Sequence, residues 1–259
     1  MDQNQDTYSL AQVAAGYARE SNLQPPEETI LRLMLPRLAT ATMLDLGVGG
    51  GRTTLHFAKW VREYVGADYS PIMIEQCQKR FSGYPGHLSF QVCDARSMDL
   101  FEGGSFDFIL FSFNGIDYVT HEERLMVLKE IRRVGKPGGY FCFSSHNLNW
   151  CANFFDWRRI ISFNPKLALQ SAKRLRRRFF FNRGLHAAAV KQSPYILFND
   201  GAHGNLRTYY VRPLEQLAQL QSDFTDVRVF SLASGLEIRD QRELRNNEDC
   251  WLYYLCGLR

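Results

Sequence analysis

A glycine-rich segment that follows an apolar run offers the clearest chemistry in this chain. Residues 43–54 read MLDLGVGGGRTT, which predicts the end of a buried strand, a turn with Gly47, Gly49 and Gly51 at alternate positions, and the start of a helix. Glycines let a backbone turn sharply and approach a ligand where a Cβ would stand in the way. The dinucleotide-binding spacing G-x-G-x-x-G would need glycine at position 52, which is Arg52. The segment therefore predicts a ligand-binding turn of a different type.

Acidic residues end the next two predicted strands. Asp68 closes the run YVGADY, 17 residues after Gly51, and Asp94 follows the run LSFQVC. An acid at the end of the second strand of a nucleotide-binding fold accepts hydrogen bonds from ribose hydroxyls. A structural alternative for Asp68 is that it caps the helix beginning at Pro71, and the two roles are compatible.

The elements that must position these residues alternate along the chain. From Met43 onward, apolar strand-like runs take turns with helical patterns, which is typical of a parallel sheet covered by helices on both faces. The last two runs have no helix pattern between them and predict an antiparallel pair at one edge. The predicted strands are 43–48, 64–69, 88–93, 106–113, 139–145, 226–232 and 250–258, and the predicted helices are 53–62, 71–82, 121–134 and 213–222.

These motifs together resemble a known family. Asp45-x-Gly47-x-Gly49-x-Gly51 resembles motif I of the class I S-adenosylmethionine (SAM) dependent methyltransferases, and residues 128–139, LKEIRRVGKPGG, resemble the family's L-x-E-x-x-R-V-L-x-P-G-G segment with Gly135 in place of a leucine. Matches at 45–51, 68, 94, 106–113 and 128–139 come in the family's order. The resemblance implies an α/β fold with a doubly wound, seven-stranded, mostly parallel, Rossmann-like sheet and an antiparallel C-terminal strand.

The resemblance also implies a cofactor, SAM, with S-adenosylhomocysteine as product, and a role for each matching residue. The glycine turn would pass under the methionine part and the third strand's end would meet the adenine, while the fourth strand's end would line the sulfonium. The residues so assigned are Tyr17 (closing over the methionine end), Asp45 (near the amino group), Gly47, Gly49, Gly51, Asp68 (ribose), Tyr69 (adenine face), Asp94 and Ala95 (adenine edge), and Ser112, Phe113 and Asn114 (sulfonium end). Arg96 and Met98 are further candidates for the pocket wall.

Activation of the methyl acceptor points to histidines. Methyl transfer is an in-line displacement, so the enzyme has to align donor and nucleophile and, for a hydroxyl, remove a proton. His146, in SSHN after the fifth strand, is the best-placed candidate base, and His203, in the loop-like DGAHGN, is a second. The alternative for His146 is a hydrogen-bonded loop histidine without chemistry. His121 fits the first turn of a surface helix.

Length and composition suit one ordinary globular domain. The chain has 259 residues, 45% hydrophobic and 22% charged, with no apolar run near the roughly 18 residues of a membrane span and no signal-peptide pattern at the N-terminus. We therefore expect a single domain over 1–259 and a cytoplasmic location. Residues 1–40 predict a helical entry, with helices near 10–19 and 27–38 and with Pro36 ending or kinking the second. Scattered cysteines and histidines predict buried free thiols and no metal site.

A basic, aromatic segment interrupts the strand and helix alternation after strand five. We predict an inserted lid over 147–206, in which 157–191 carries ten basic residues and no acid, with an amphipathic helix at 166–181. Four interpretations stay open: a solvated lid helix, a site for an anionic small substrate such as a nucleotide sugar or another phosphorylated metabolite, RNA binding, or docking on an anionic membrane surface to reach a lipid or quinone.

The predicted activity is methyl transfer from SAM to oxygen or nitrogen of a small molecule. The alternatives are an RNA methyltransferase, a membrane-surface lipid or quinone methyltransferase, and a SAM-binding protein without turnover. The RNA methyltransferase alternative is weakened, because the Asp/Asn-Pro-Pro-aromatic segment of exocyclic-amine methylases is replaced here by residues 114–118, NGIDY.

Overall fold

The computed structural model describes residues 21–84, 86–152, 180–199 and 207–259. The predicted roles of Tyr17 and His203 fall outside the described residues, as do the predicted helix at 10–19 and most of the one at 166–181.

The entry helix α1 spans Pro25–Leu38. It starts two residues before the predicted position because Pro25 and Pro26 occupy its first turn, where a missing N–H costs nothing. Pro36 was expected to end or kink the helix, and instead the helix continues to Leu38. Pro36 lies in the last turn, and the carbonyl that it leaves without a helical donor belongs to Arg32, which is exposed to solvent.

Five parallel strands form the centre of the sheet. They are β1 (Thr42–Leu46), β2 (Glu63–Asp68), β3 (Leu88–Val92), β4 (Phe106–Phe111) and β5 (Gly135–Asn147), in the spatial order β3-β2-β1-β4-β5. The order reverses at β1, which is buried along its whole length between β2 and β4. A parallel sheet binds ligands at the carboxyl ends of the strands beside such a reversal.

The C-terminal strands are antiparallel, as predicted. β8 (Phe224–Ser231) and β10 (Trp251–Leu258) pair with each other, and β10 also runs antiparallel to β5. All seven predicted strands have counterparts, but the described residues hold ten strands, so the count of seven was too low. The extra strands are β6 (Tyr195–Phe198), β7 (Thr208–Val211) and β9 (Glu237–Ile238), which are too short to leave a pattern in the sequence.

Helices cover both faces of the sheet. α3 (Pro71–Arg80), α4 (His121–Val134) and α7 (Pro213–Leu220) lie where predicted, whereas the helix predicted at 53–62 is only a turn, α2 (Thr54–Phe57), followed by a 3-10 turn at Ala58–Trp60. It ends early because Val61 is already extended on the way into β2. Short helices α5 (Leu148–Ala152), α6 (Ala187–Gln192) and α8 (Gln241–Asn246) complete the set.

Alternate strand residues feed two separate cores. Leu44 and Leu46 of β1 pack in the cluster on one face, with Ile109 of β4, while Met43 packs on the other face with Phe108. This alternation follows from the two-residue repeat of a strand and is what the doubly wound prediction requires.

The described part of the predicted lid joins the sheet. β6 and β7 form a hairpin, and β7 pairs in parallel with the last two residues of β5, His146 and Asn147. This pairing is open to β7 because the register of β4 against β5 ends at Phe111 and Phe143. The lid was expected to be helical, and its described residues instead add two strands beside helices α5 and α6. Phe180 and Phe181, from the end of the predicted basic helix, are exposed.

Candidate active site

The glycine turn after β1, residues 47–51, forms the floor of a cavity. Gly47, Gly49 and Gly51 have φ angles of 62°, 53° and 76°, in the left-handed region that favours glycine. A Cβ on Gly51 would overlap the Phe81 ring, and one on Gly49 would meet nothing nearer than the Gly47 carbonyl oxygen at 3.9 Å. Packing against Phe81 therefore requires glycine at position 51, whereas the space beside Gly49 is open.

Asp68 links the glycine turn to the start of α3. Its Oδ2 accepts a hydrogen bond from the Gly49 amide at 3.0 Å, and its Oδ1 accepts one from the Ser70 amide at 2.9 Å. Asp68 therefore lines the cavity, and its contact with a ribose stays a prediction. It bonds to Ser70, the N-cap residue of α3, and not to an amide inside the helix. Burial raises the pKa of this carboxyl.

Asp45 lies deeper, beneath the turn. Its Oδ2 accepts hydrogen bonds from the Thr53 and Tyr64 hydroxyls, each at 2.5 Å, and the side chain also lines the cavity. Burial raises the pKa of Asp45 to about 6, although these two hydrogen bonds act in the opposite direction. The predicted position of Asp45 beside a methionine amino group is compatible with this site.

Arg52 is a site residue that the sequence reasoning missed. Its guanidinium forms two 2.6 Å hydrogen bonds to the carboxylate of Glu27 on α1, and its NH2 donates to Ser112 at 3.2 Å. The Ser112 hydroxyl also donates to Glu27, and the Tyr253 hydroxyl lies 2.9 Å from Glu27 Oε1. Burial alone would raise the pKa of Glu27, but the Arg52 hydrogen bonds hold it below its usual range.

A sequence signal for this pair did exist. An arginine directly after a glycine turn is expected beside the ligand that the turn binds, and Arg52 lines the cavity with its guanidinium carbon 4.5 Å from the centre of the Phe113 ring. For Glu27, the sequence predicted only a place at the start of the helix near 27–38.

The end of β3 forms another wall of the cavity. Asp94, Ala95 and Arg96 line it, together with half-buried Tyr69 from the end of β2. Arg96 donates to both carboxylate oxygens of Asp94 and, through NH1, to Glu123 at 2.5 Å. Burial acts to raise the pKa of Asp94, and the Arg96 hydrogen bonds bring it below its usual value. Met98, expected in the wall, is buried in the core instead.

The cavity enclosed by these segments runs along the carboxyl ends of β1 to β4. Its empty volume is about 1250 Å³ including the open mouth. Ser112, Phe113, Tyr118 and Val119 extend its lining beyond β4. Asn114, predicted at the sulfonium end, and His146, the candidate base, are not among the described residues that line it.

Strain marks the segment after β4. Phe113 and Asn114 have φ angles of 55° and 60°, a conformation that costs energy in residues other than glycine and clusters at functional sites. The Asn114 amide donates to Ser144 Oγ at 2.8 Å, which holds this turn against β5. Among the described atoms, Asn114 Oδ1 is buried without a hydrogen-bond partner. The Asn114 Nδ2 atom lies 3.4 Å from His146 Nε2.

His146 lies at the end of β5 and pairs with a buried aspartate. Its Nδ1 is 2.7 Å from Asp117 Oδ2, and its backbone amide donates to the same oxygen at 2.6 Å. The imidazole is enclosed by the rings of Tyr118, Tyr210 and Trp251, with Tyr210 nearest at 4.9 Å between centroids. His146 is not among the described residues that line the cavity, and the ring of Tyr118, which does line it, lies 6.3 Å from the imidazole between centroids. The role of His146 as a base stays a prediction.

A buried arginine completes this arrangement. Arg124 on α4 donates to Asp117 Oδ1 at 2.5 Å, to Ser145 Oγ at 3.0 Å and to Gln216 Oε1 at 2.5 Å. The side chains of Arg124 and Asp117 are both 0% exposed. We call Asp117, Arg124, Ser145, His146 and Gln216 the Asp117 network. Of its members, only His146 was identified from the sequence.

His121 has contacts that its predicted surface position did not anticipate. It begins α4 as predicted, but its Nδ1 lies 2.8 Å from the Tyr209 hydroxyl and its ring stacks on Tyr195 at 4.3 Å. The described residues hold no cluster of His, Cys, Asp or Glu suited to a metal ion. None of the helices in the described ranges has the length and apolarity needed to cross a membrane.

Comparison with known proteins identifies this architecture. Residues 43–139 match the model of a family described as "Methyltransferase domain". Among curated relatives, the chain is 31% identical over 134 residues to the "Probable phthiotriol/phenolphthiotriol dimycocerosates methyltransferase 2" of Mycobacterium ulcerans (48% of each chain). It is 33% identical over 101 residues to the "Ubiquinone/menaquinone biosynthesis C-methyltransferase UbiE" of Desulfotalea psychrophila (38% of each). The chain thus spans about half or less of the curated relatives that it matches.

Solved structures match over almost the whole chain. The 1,6-didemethyltoxoflavin-N1-methyltransferase of Burkholderia thailandensis, with bound S-adenosylhomocysteine, aligns with a TM-score of 0.59 at 15% identity, covering 100% of this chain and 90% of that one. The N-methyltransferase NodS of Bradyrhizobium japonicum WM9 aligns with a TM-score of 0.54 at 14% identity, covering 97% and 98%. The fold is therefore that of the class I SAM-dependent methyltransferases.

Proposed function

We propose that this chain, which has the class I SAM-dependent methyltransferase fold, transfers a methyl group from SAM to oxygen or nitrogen of a small molecule. The observation that carries the proposal is the cavity floored by residues 47–51. Three left-handed glycines and the Gly49–Asp68 hydrogen bond create a cradle that a Cβ on Gly49 would begin to fill. Bound SAM would supply an electrophilic methyl group on a sulfonium ion.

The cavity residues offer complementary groups for each part of such a donor. Asp68 would accept from the ribose hydroxyls, and Tyr69 and Ala95 would flank the adenine. Asp45 would face the methionine ammonium, and Arg52, whose positive charge is maintained by Glu27, would face its carboxylate. Phe113 and Ser112 would then lie near the sulfonium, at the end where the cavity continues past β4.

Calorimetry with S-adenosylhomocysteine tests the donor site. The wild-type chain should bind, and Gly49→Ala and Asp68→Asn should each weaken binding by at least ten-fold. Gly104→Ala is the matched control for the first variant, because Gly104 also has a left-handed φ and open space around it. Asp107→Asn is the control for the second, since Asp107 also accepts from a backbone amide, that of Thr42. A wild-type chain that ignores the ligand removes the proposal.

The acceptor is proposed as a small molecule, either anionic, such as a nucleotide sugar or another phosphorylated metabolite, or a lipid or quinone at a membrane surface. The names of the relatives include a quinone C-methyltransferase and a dimycocerosate methyltransferase. The second candidate is favoured by the exposure of Phe180 (60%) and Phe181 (47%) beside the basic residues of 157–191.

Vesicle binding separates these candidates. If the acceptor lies in a membrane, the chain should sediment with vesicles of phosphatidylglycerol and phosphatidylcholine more than with phosphatidylcholine alone, and Phe180→Ser with Phe181→Ser should reduce this binding. Leu236→Ser is the control, because Leu236 is 68% exposed but distant in sequence from the basic segment. Absence of binding to anionic vesicles would leave the soluble anionic acceptor. Salt-sensitive binding to RNA instead of vesicles would support the RNA alternative.

A further inference from the structure

We propose that Asp117 is a positioning residue that holds His146 ready to accept the proton of an acceptor hydroxyl, so that the site methylates oxygen rather than a neutral amine. The inference rests on the proposed SAM-dependent function and deepens it by naming the acceptor group. Its basis is the Asp117 network at the ends of β4 and β5.

The hydrogen bonds around Asp117 fix the proton on His146. Asp117 Oδ1 accepts from Arg124 and from Ser145 at 2.9 Å, and Oδ2 accepts from the His146 amide and faces His146 Nδ1. Beside a carboxylate that only accepts, Nδ1 must carry the hydrogen. In the neutral imidazole, Nε2 then holds a lone pair and is the nitrogen able to take a proton.

Arg124 is the charged partner of the buried Asp117 carboxylate. A fully buried Asp–Arg pair costs desolvation energy, and well-packed apolar residues of similar size would often be as stable. Here the arginine balances the charge of Asp117, so the carboxylate can orient His146 and stabilise the imidazolium after proton transfer. The same division of roles operates in Ser-His-Asp triads, where the aspartate fixes the tautomer of the base.

Nε2 of His146 faces the segment that follows β4. It lies 3.4 Å from Asn114 Nδ2, and Tyr118, which packs on the imidazole, lines the cavity. His146 itself is 8% exposed. The titratable or charged groups that face the imidazole from neighbouring elements are Asp117, Tyr118 and Tyr210, with Arg124 behind Asp117. Tyr118 thus connects the imidazole to the described lining of the cavity.

A general base accelerates the methylation of a hydroxyl more than that of a neutral amine. An amine already has a nucleophilic lone pair, whereas a hydroxyl oxygen becomes a good nucleophile when its proton is removed. In the transfer, the acceptor oxygen forms a bond to the methyl carbon, the carbon–sulfur bond breaks with its electrons returning to sulfur, and the hydroxyl proton goes to His146 Nε2. The products are a methyl ether, S-adenosylhomocysteine and imidazolium, which then releases its proton to water.

The tautomer of His146 gives a test that needs no acceptor. In the full chain with ¹⁵N-labelled histidine and S-adenosylhomocysteine added, NMR should show His146, assigned with His146→Gln, as the Nδ1–H tautomer. Asp117→Asn should shift this population toward Nε2–H, while Asp107→Asn, near the amino end of β4, should leave it unchanged. A wild-type His146 in the Nε2–H form overturns the proposal.

Turnover provides the second readout, with catechol and aniline as probes and methyl-labelled SAM as donor. Catechol should be the preferred acceptor, and His146→Gln should lower kcat by about 10²-fold or more with little change in KM. Faster methylation of aniline, or wild-type kcat in His146→Gln, contradicts the assignment.

Failure of this inference and failure of the proposed function give different results. A chain that binds S-adenosylhomocysteine but holds His146 as Nε2–H retains the proposed function and loses the base. A chain that does not bind the ligand loses both.

Discussion

The two halves of the carboxyl edge of the sheet are built in different ways. The half at the ends of β1 to β3, which we propose binds the donor and call the donor half, contains polar contacts between residues near in sequence: Thr53 with Asp45, 8 residues apart, and Gly49 with Asp68, 19 apart. The half at the ends of β4 and β5, which we propose faces the acceptor and call the acceptor half, contains the Asp117 network, in which Arg124 and Gln216 are 92 residues apart. The first set of contacts belongs to a local motif, whereas the Asp117 network is assembled from distant parts of the chain.

The halves also differ in how they use charge. In the donor half, the buried carboxylates of Asp45 and Asp68 have pKa values raised by burial, and their hydrogen-bond partners are hydroxyls and backbone amides. In the acceptor half, Asp117 has a full arginine charge as its partner. Asp45 and Asp68 thus have no basic hydrogen-bond partner among the described contacts, whereas the charge of Asp117 is neutralised by Arg124.

The largest expected loss of stability comes from removing Arg124, the ion-pair partner of Asp117. Arg124→Leu leaves the Asp117 charge buried without its partner and should lower the free energy of unfolding by about 3–5 kcal/mol, measured by urea denaturation. Arg132→Leu on the same helix is the control, because Arg132 is half exposed and its 3.5 Å pair with Asp223 should contribute less than about 1 kcal/mol.

A double variant shows whether the unpaired charge of Asp117 causes the loss of stability. Adding Asp117→Asn to Arg124→Leu removes the unpaired charge and should recover part of the lost stability. If Arg124→Leu behaves like Arg132→Leu, the acceptor half is not held by this ion pair and the contrast between the halves is wrong.

The next effect concerns packing in the donor half. Gly51→Ala should lower stability by about 2–3 kcal/mol, because alanine is strained at a φ of 76° and its Cβ would overlap the Phe81 ring. Thermal unfolding measures this loss. Gly138→Ala, at a φ of 80° with open space around it, isolates the backbone cost of about 1 kcal/mol. Equal losses in the two variants would show that the Phe81 contact is unimportant.

A third effect is the pH dependence that Asp45 confers. In the unfolded chain an aspartate titrates near its ordinary pKa of about 3.9, whereas folded Asp45 titrates at about 6. The native state therefore keeps a proton that the unfolded state has lost, and stability falls as the pH rises from roughly 4 to roughly 6. Two pKa units correspond to about 3 kcal/mol.

Asp45→Asn should remove that slope. The asparagine oxygen can still accept from Thr53 and Tyr64, so denaturation at a series of pH values should give a flatter curve than the wild type. Asp226→Asn, at an exposed position, should keep the wild-type curve. A wild-type slope in Asp45→Asn would assign the pH dependence to another group.

The contrast between the halves also explains what the sequence could predict. The seven main strands and the cavity positions of Asp45, Asp68 and the glycines follow from short patterns. The Asp117 network does not, because a buried Arg124 inside a helix of charged residues looks solvent-facing until α7 and β5 are packed against it. Likewise β6, β7 and β9 are stabilised by pairing with distant strands and have no pattern of their own.

The smallest expected effect is at the boundary between the halves. Ser112, directly after β4, contacts Arg52 and Glu27 through its hydroxyl and lies 2.9 Å from the Tyr253 hydroxyl. Ser112→Ala removes one hydroxyl from a buried cluster and should cost about 1 kcal/mol of stability.

Among the described hydrogen bonds, this cluster shares no partner with the Asp117 network. Combining Ser112→Ala with Asp117→Asn should therefore give additive losses within about 0.5 kcal/mol in urea denaturation. A coupling energy larger than about 1 kcal/mol would mean that the two clusters are energetically linked through the strained residues Phe113 and Asn114. Donor binding would then affect the position of His146.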